Sequence, residues 1–286
     1  MTRCRAAQLL RVVVITGIGL WSLAPIGLGV ATSLSTQADV QAVPARWLPR
    51  HAMLDAYRSL LGGTGDFHAG GTVSESGAFA HAMWNSVSVT LMSTLAILCV
   101  AISAGYAFAR LRFPGRGALF WAIVATTVVP VFTVVIALFG LMADAHLIDR
   151  TLGLVLVFVS TTTPLAMWLV SNHVSELPTE PEEAALIDGC TRWQAFWHVV
   201  LPQMRSGIAA LSAIVMLSVW GEFLIPLLLT STSASKPVTV LIPEYVGKYT
   251  TNYPLLAAAG VLALLPPAVI ALVLNRHIRG MLSGSS

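Results

Sequence analysis

The chain has 286 residues, of which 56% are apolar and 10% charged, and its mean hydropathy is +0.79. Ordinary soluble domains carry roughly a quarter charged residues, so the composition excludes a water-soluble globule and predicts an integral membrane protein. The basic excess, 16 Lys and Arg against 13 Asp and Glu, does not signal nucleic acid, because these residues sit in small groups beside apolar runs and build no basic face.

A membrane-crossing helix needs about 20 mostly apolar residues, and six runs qualify: 12–31, 85–108, 119–142, 151–170, 208–229 and 255–274. The first follows Arg3, Arg5 and Arg11. A secretory signal shares that basic start, but the run is long and no small-residue cleavage site follows closely, so a retained anchor is expected. Residues 1–32 are then a short tail and first span, and 33–84 an extracytoplasmic segment. Within that segment "GGTGDFHAGG" reads as a flexible connection; it lacks the Gly-Lys-Ser/Thr with which a P-loop holds phosphates. Residues 85–275 form the transmembrane core and 276–286 a tail.

Lys and Arg resist translocation, so their distribution sets orientation. Arg3, Arg5, Arg11, Arg110, Arg112, Arg116, Arg192, Arg205, Arg276 and Arg279 fall on one side. Arg46, Arg50, Arg58, Arg150, Lys236 and Lys248 fall on the other. The bias predicts cytoplasmic termini and a cytoplasmic loop at 176–207. Pro130, Pro164, Pro226, Pro266 and Pro267 lie inside spans, and each removes a backbone hydrogen bond that neighbours must replace. Bent helices around a protein-lined path are expected from them.

The loop between spans four and five holds "EEAALIDGCTRWQAFWHVVLP", a polar run that is not built like a linker. Thr179 with Glu182 makes a capping-box pattern, Pro181 sits in the first turn, and Glu180, Glu182 and Glu183 complement the positive end of a helix dipole. Gly189 can adopt the left-handed conformation that ends this helix. Thr191 with Gln194 repeats the pattern and opens a second helix through Trp193, Phe196, Trp197 and Val200 to Pro202. Both helices are too short to stand alone. Small Ala184 and Ala185 would let another surface approach closely, and the aromatic residues offer an apolar face toward the membrane. Spacing alone leaves two readings: a docking knob, or an amphipathic connector at the lipid headgroups. A DNA-binding helix-turn-helix is disfavoured by the acidic first helix and the flanking spans.

The same stretch resembles the EAA loop of binding-protein-dependent ABC importer permeases, through Glu183, Ala184, Ala185, Gly189, Val199, Leu201 and Pro202. "VPARWLPRHAMLDAY", "NSVSVTLMSTLAILCVAISAGYAFARLRFPGR", "WGEFLIPLLLTS" and "LALLPPAVIALVLNRHIRG" resemble its carbohydrate-uptake branch, in particular the smaller maltose-type subunit. Two positions depart from that pattern: Pro181 replaces the usual aliphatic residue, and Gly221 the usual Asn of Trp-Asn-Glu-Phe.

The resemblance implies an all-α type I ABC importer permease fold of six transmembrane helices, in a bacterial or archaeal inner membrane. It also implies that Glu183, Ala184, Ala185, Asp188, Gly189, Leu201 and Pro202 form a coupling segment docking into an ATPase. ATP would be used by two ATPase subunits and no cofactor held by this chain. A second homologous permease and an extracytoplasmic solute-binding protein would complete the assembly. The cargo would be a sugar-like solute, the rival cargoes being a glycerol phosphodiester or a polyamine. From another class, the rival is a stand-alone channel or ion-driven carrier.

Glu222 lies within the fifth run, where an ionised carboxylate costs on the order of 3 kcal/mol on insertion scales. It is the candidate for the translocation path, against an inter-helix hydrogen bond or a protonated carboxyl. Cys4, Cys99 and Cys190 are too scattered for a disulfide framework. The seven histidines show no metal spacing, and there is no Gly-x-Ser-x-Gly motif.

Overall fold

The computed structural model describes residues 2–44, 46–62, 77–246 and 251–282. In chain order the α-helices are α1 (Thr2–Ser33), α2 (Gln37–Val40), α3 (Asp55–Leu60), α4 (Ala78–Arg110), α5 (Arg116–Ala125), α6 (Val131–Asp144) and α7 (Thr151–Glu176). There follow α8 (Glu180–Ile187), α9 (Arg192–Ala195), α10 (Leu201–Gln203), α11 (Arg205–Gly221), α12 (Leu224–Leu229), α13 (Val238–Glu244) and α14 (Tyr253–Leu282). A 3-10 turn, Thr126–Val128, follows α5, and a π-helical stretch, Phe196–Val200, joins α9 to α10.

Among the described residues four helices are long and apolar enough to cross a bilayer: Leu10–Ser33, Ala78–Arg110, Thr151–Glu176 and Tyr253–Val273. Two bent pairs, Arg116–Val128 with Val131–Asp144 (100°) and Arg192–Gln203 with Arg205–Gly221 (74°), raise the number to six if each counts as one span. Pro130 explains the sharper bend. It has no N–H to continue the helix and keeps Val129 extended, at φ −71 and ψ 123. Pro164, Pro266 and Pro267 instead lie inside continuous helices, so a proline breaks the helix at some positions and not at others.

The chain divides into two compact units. The first comprises Met1–His81 and Leu241–Leu265. There the Ser33 and Tyr57 hydroxyls are 2.6 Å apart, and Leu34 O accepts the Met53 N–H at 2.9 Å. Gln37 donates to Thr251 O at 2.7 Å and accepts the Tyr253 N–H at 3.1 Å. The "GGTGDFHAGG" stretch after Gly62 lies outside the described residues.

The second unit comprises Ala82–Val240 and Pro266–Ser286. Its core is centred on α7, whose Leu154, Val157, Phe158, Met167, Val170 and Val174 are buried. Ile97 and Ala101 of α4, Val215 and Val219 of α11, and Phe196, Val200 and Met204 share that core. Close approach is built in by glycine: a Cβ on Gly105 of α4 would collide with the Val170 side chain.

The fifth predicted run is two helices, α11 and α12, broken at Glu222 and Phe223. Pro226 accounts for part of the break, since it has no N–H to offer the Glu222 carbonyl four residues back. That carbonyl instead accepts the Thr239 hydroxyl at 3.1 Å.

Candidate functional site

The segment from α8 to α10 has the predicted helix, corner, helix form, and local chemistry explains each part. At the corner Gly189 has φ +90. The Gly189 N–H bonds Leu186 O at 3.2 Å and the Cys190 N–H bonds Ala185 O at 3.0 Å. This pair of bonds is the Schellman arrangement, which needs a left-handed residue past the helix end. The second capping box forms as expected: Gln194 N–H donates to Thr191 Oγ1 at 3.3 Å, and Thr191 N–H donates to Gln194 Oε1 at 2.8 Å. The second helix does not stop before Pro202. Its register widens to π over Phe196–Val200 and then runs on through α10, which absorbs the missing proline donor.

The first capping box does not form. Thr179 has helical backbone angles and makes no side-chain cap, and the Glu182 carboxylate that would reach back to the Thr179 N–H is engaged elsewhere. The Glu182 carboxylate is buried: Oε1 accepts the Tyr106 hydroxyl at 2.6 Å, and Oε2 lies 3.2 Å from Arg110 Nε. The latter is an ion pair whose N–H is not aimed along the line to the oxygen. Arg110 also donates through Nη2 to Leu177 O, at the end of α7, at 2.9 Å. Tyr106 in turn packs on Phe196, with ring centroids 4.7 Å apart.

Neighbouring Glu183 is exposed, as are Ala184, Ile187, Asp188 and Gly189, while Ala185 is half-buried. The next residue along a helix is turned by about 100°, so the two adjacent acids point apart. The aromatic face also divides. Phe196 is buried, whereas Trp193 and Trp197 remain 64% and 47% exposed, contrary to the expectation that all three turn toward the membrane domain. Leu201 packs against the core and Pro202 is exposed. Between this segment and the loop after α4 lies an open cleft of about 780 Å³, lined among others by Arg110, Arg112, Arg116, Glu182, Glu183 and Arg192.

Glu222 is far along the chain from this cluster and has its own local role. Its Oε1 accepts the Leu224 N–H at 3.1 Å, a cap for the start of α12. It borders a pocket of about 10 Å³, with Ser86, Thr90, Trp220 and Thr239 among its neighbours.

Two polar clusters were not read from the sequence. Tyr106 and Arg110 stand four residues apart, hence on one face of α4, a spacing that signalled a shared partner without naming it. The second is Asp149, between α6 and α7. It accepts the Ser231 and Thr232 N–H groups at 3.0 and 3.1 Å and the Thr232 and Ser235 hydroxyls at 2.5 and 2.7 Å. Burial raises its pKa, but the Ser235 and Thr232 hydroxyls and the two amides outweigh it and hold the carboxyl well below its ordinary value. Among the described residues no group of His, Cys, Asp and Glu is arranged to hold a metal.

The sequence pattern of the family described as "Binding-protein-dependent transport system inner membrane component" matches residues 97–280. The chain is 28% identical over 255 residues to the sulfoquinovosyl glycerol transport system permease protein SmoH of Agrobacterium fabrum, covering 88% of this chain and 85% of that protein. It is 29% identical over 256 residues to the trehalose transport system permease protein SugB of Mycobacterium tuberculosis, covering 88% and 89%. A crystal structure of a bacterial ABC transporter that imports the acidic polysaccharide alginate contains a chain of the same fold. The TM-score is 0.80 at 19% identity, over 95% of this chain and 96% of that one.

Proposed function

This chain belongs to the binding-protein-dependent transport system inner membrane component family, and from that premise we propose that it is the permease of an ATP-driven importer for a sugar or sugar-like solute. The cargo class rests on relatives named for sulfoquinovosyl glycerol and trehalose. The chain supplies half of a translocation path in the inner membrane, with a second homologous permease supplying the rest. Its termini and the α8–α10 segment face the cytoplasm, following the arginine bias. Two ATPase subunits there hydrolyse ATP; this chain carries no nucleotide site or cofactor of its own. A solute-binding protein delivers cargo at the opposite face, to residues 33–84 and 230–254.

The observation that carries the coupling role is the outward face of α8. Glu183, Ala184, Ile187 and Asp188 are exposed on a helix fixed from behind by Glu182 and ended by a left-handed Gly189. In this reading Glu183 meets a basic group of the ATPase, Ala184 and Ala185 admit close approach, and Gly189, Leu201 and Pro202 hold the corner and the return helix. Closure of the ATPase pair on ATP then biases the permease between inward-open and outward-open states. Glu222 is the path candidate: its Oε1 caps α12, leaving Oε2 for solute hydroxyls or a gate.

Uptake of labelled trehalose, maltose and lactose by cells carrying the complete system tests this reading. Gly189→Val and Glu183→Lys are expected to leave the chain in the membrane and cut coupled uptake on the order of tenfold or more. Full uptake by both variants overturns the coupling role.

A further inference from the structure

The geometry points to Glu182 as a positioning residue that hands motion of α8 to α4, the second predicted span, and so separates its role from that of Glu183 beside it. The inference rests on the reading of α8 as the ATPase-docking helix and adds where the motion goes next.

The backbone joins the α8–α10 segment to α7 on one side and α11 on the other. Its buried polar contacts, however, run to a third helix with which it shares no covalent junction. Glu182 reaches both Tyr106 and Arg110 in the last two turns of α4. The pair is sheltered, with side-chain exposures of 13% for Arg110 and 8% for Glu182, against 72% and 45% for the surface pair Arg58–Asp55. Removing one member of such a pair strands the other charge in a low-dielectric setting, whereas a surface pair contributes little.

The same two α4 residues gather the surrounding elements. Arg110 holds the last carbonyl region of α7 through Leu177, and the Tyr106 ring lies against Phe196 in the π stretch. The end of α4 is therefore bound to α7, α8 and the π-helical return at once. A push that displaces α8 must either break a buried charge contact or carry α4 with it. Carrying α4, a single unbroken helix of 33 residues, avoids leaving a buried charge unpaired. Gly105, one residue before Tyr106, sits where α4 touches Val170 of α7 without room for a methyl group.

Hydrogen exchange is followed in the purified full transporter, with both permeases and the ATPase pair, in nucleotide-free form and with MgATP plus orthovanadate. In the native complex, amides of α8 and of the Tyr106–Arg110 turn are expected to change exchange rate together, by about tenfold, within the span of known inter-site couplings. In Glu182→Gln and Tyr106→Phe, α8 should still respond while the response of the α4 end falls to about twofold or less. Tyr106→Phe keeps the ring against Phe196 and carries the test alone if Glu182→Gln does not assemble. An α4 response of native size in Tyr106→Phe and, where it assembles, in Glu182→Gln overturns the inference while leaving the docking reading intact. An α8 that ignores vanadate trapping in the native complex overturns the docking reading and this inference with it.

Discussion

Asp149 shows how much a single side chain can organise. It holds a left-handed backbone, φ 59, a conformation that Asp tolerates better than most residues. From there it gathers the 231–235 stretch through its two oxygens. Its folded pKa is depressed, so its contribution is present above the unfolded value near 3.9 and is lost as pH falls through the lower folded value. Melting of the native complex should therefore be indifferent to this group from neutral pH down to about 4 and lose its contribution only in stronger acid. Asp149→Asn, with one acceptor oxygen in place of two, should cost about 1 kcal/mol at neutral pH, the low end for a charged hydrogen bond because solvent reaches the site. The measurement is thermal unfolding of the purified complex against pH; a variant melting like the native protein at pH 7 would show that these hydrogen bonds add no net stability. Gly153, in the first turn of α7, offers a simpler case: a Cβ there would run into the Leu147 carbonyl oxygen. Backbone cannot swing aside as a side chain does, so Gly153→Ala should destabilise by roughly 1–3 kcal/mol in the same assay. Neither residue stood out in the sequence, since each matters through a partner that the fold alone brings near.

At the scale of elements, local signals were legible where nothing distant competed for the same atoms. Thr191 and Gln194 cap each other as their spacing predicts, and Gly189 ends α8 as its chemistry predicts. Thr179 and Glu182 carry the same pattern and fail: Thr179 takes helical backbone angles, and Tyr106 and Arg110 claim the Glu182 carboxylate. The prolines divide in the same way: Pro130 sets a 100° bend, while α7 continues unbroken through Pro164. The break at Glu222 was hidden in a continuous apolar run; it is made by Pro226 together with a hydroxyl from Thr239. Two substitutions divide the capping and path roles of Glu222. Glu222→Gln keeps an acceptor for the Leu224 N–H and removes the charge, so a fall in sugar uptake of about tenfold at unchanged melting temperature marks a path residue. Glu222→Ala removes the cap as well and should lower stability by about 1 kcal/mol, whichever way uptake responds.

For the whole molecule, hydropathy and the alternation of apolar runs with polar loops were enough to predict a helical membrane protein, because lipid enforces helices wherever the backbone is exposed to it. The quoted motifs added the family. Sequence did not predict which spans are single rods and which are bent pairs, since a bend depends on who replaces the lost hydrogen bonds. The chain buries little of its own first helix. Reconstituted alone in liposomes it should pass no trehalose, maltose or lactose above the leak of empty vesicles; flux without ATPase partners would instead favour a channel or carrier. The divergence of buried Glu182 and exposed Glu183 has a consequence for engineering. On the docking role proposed for α8, grafting only its outward positions from a relative should re-key the permease to that relative's ATPase, while the contacts of Glu182 with Tyr106 and Arg110 stay as they are.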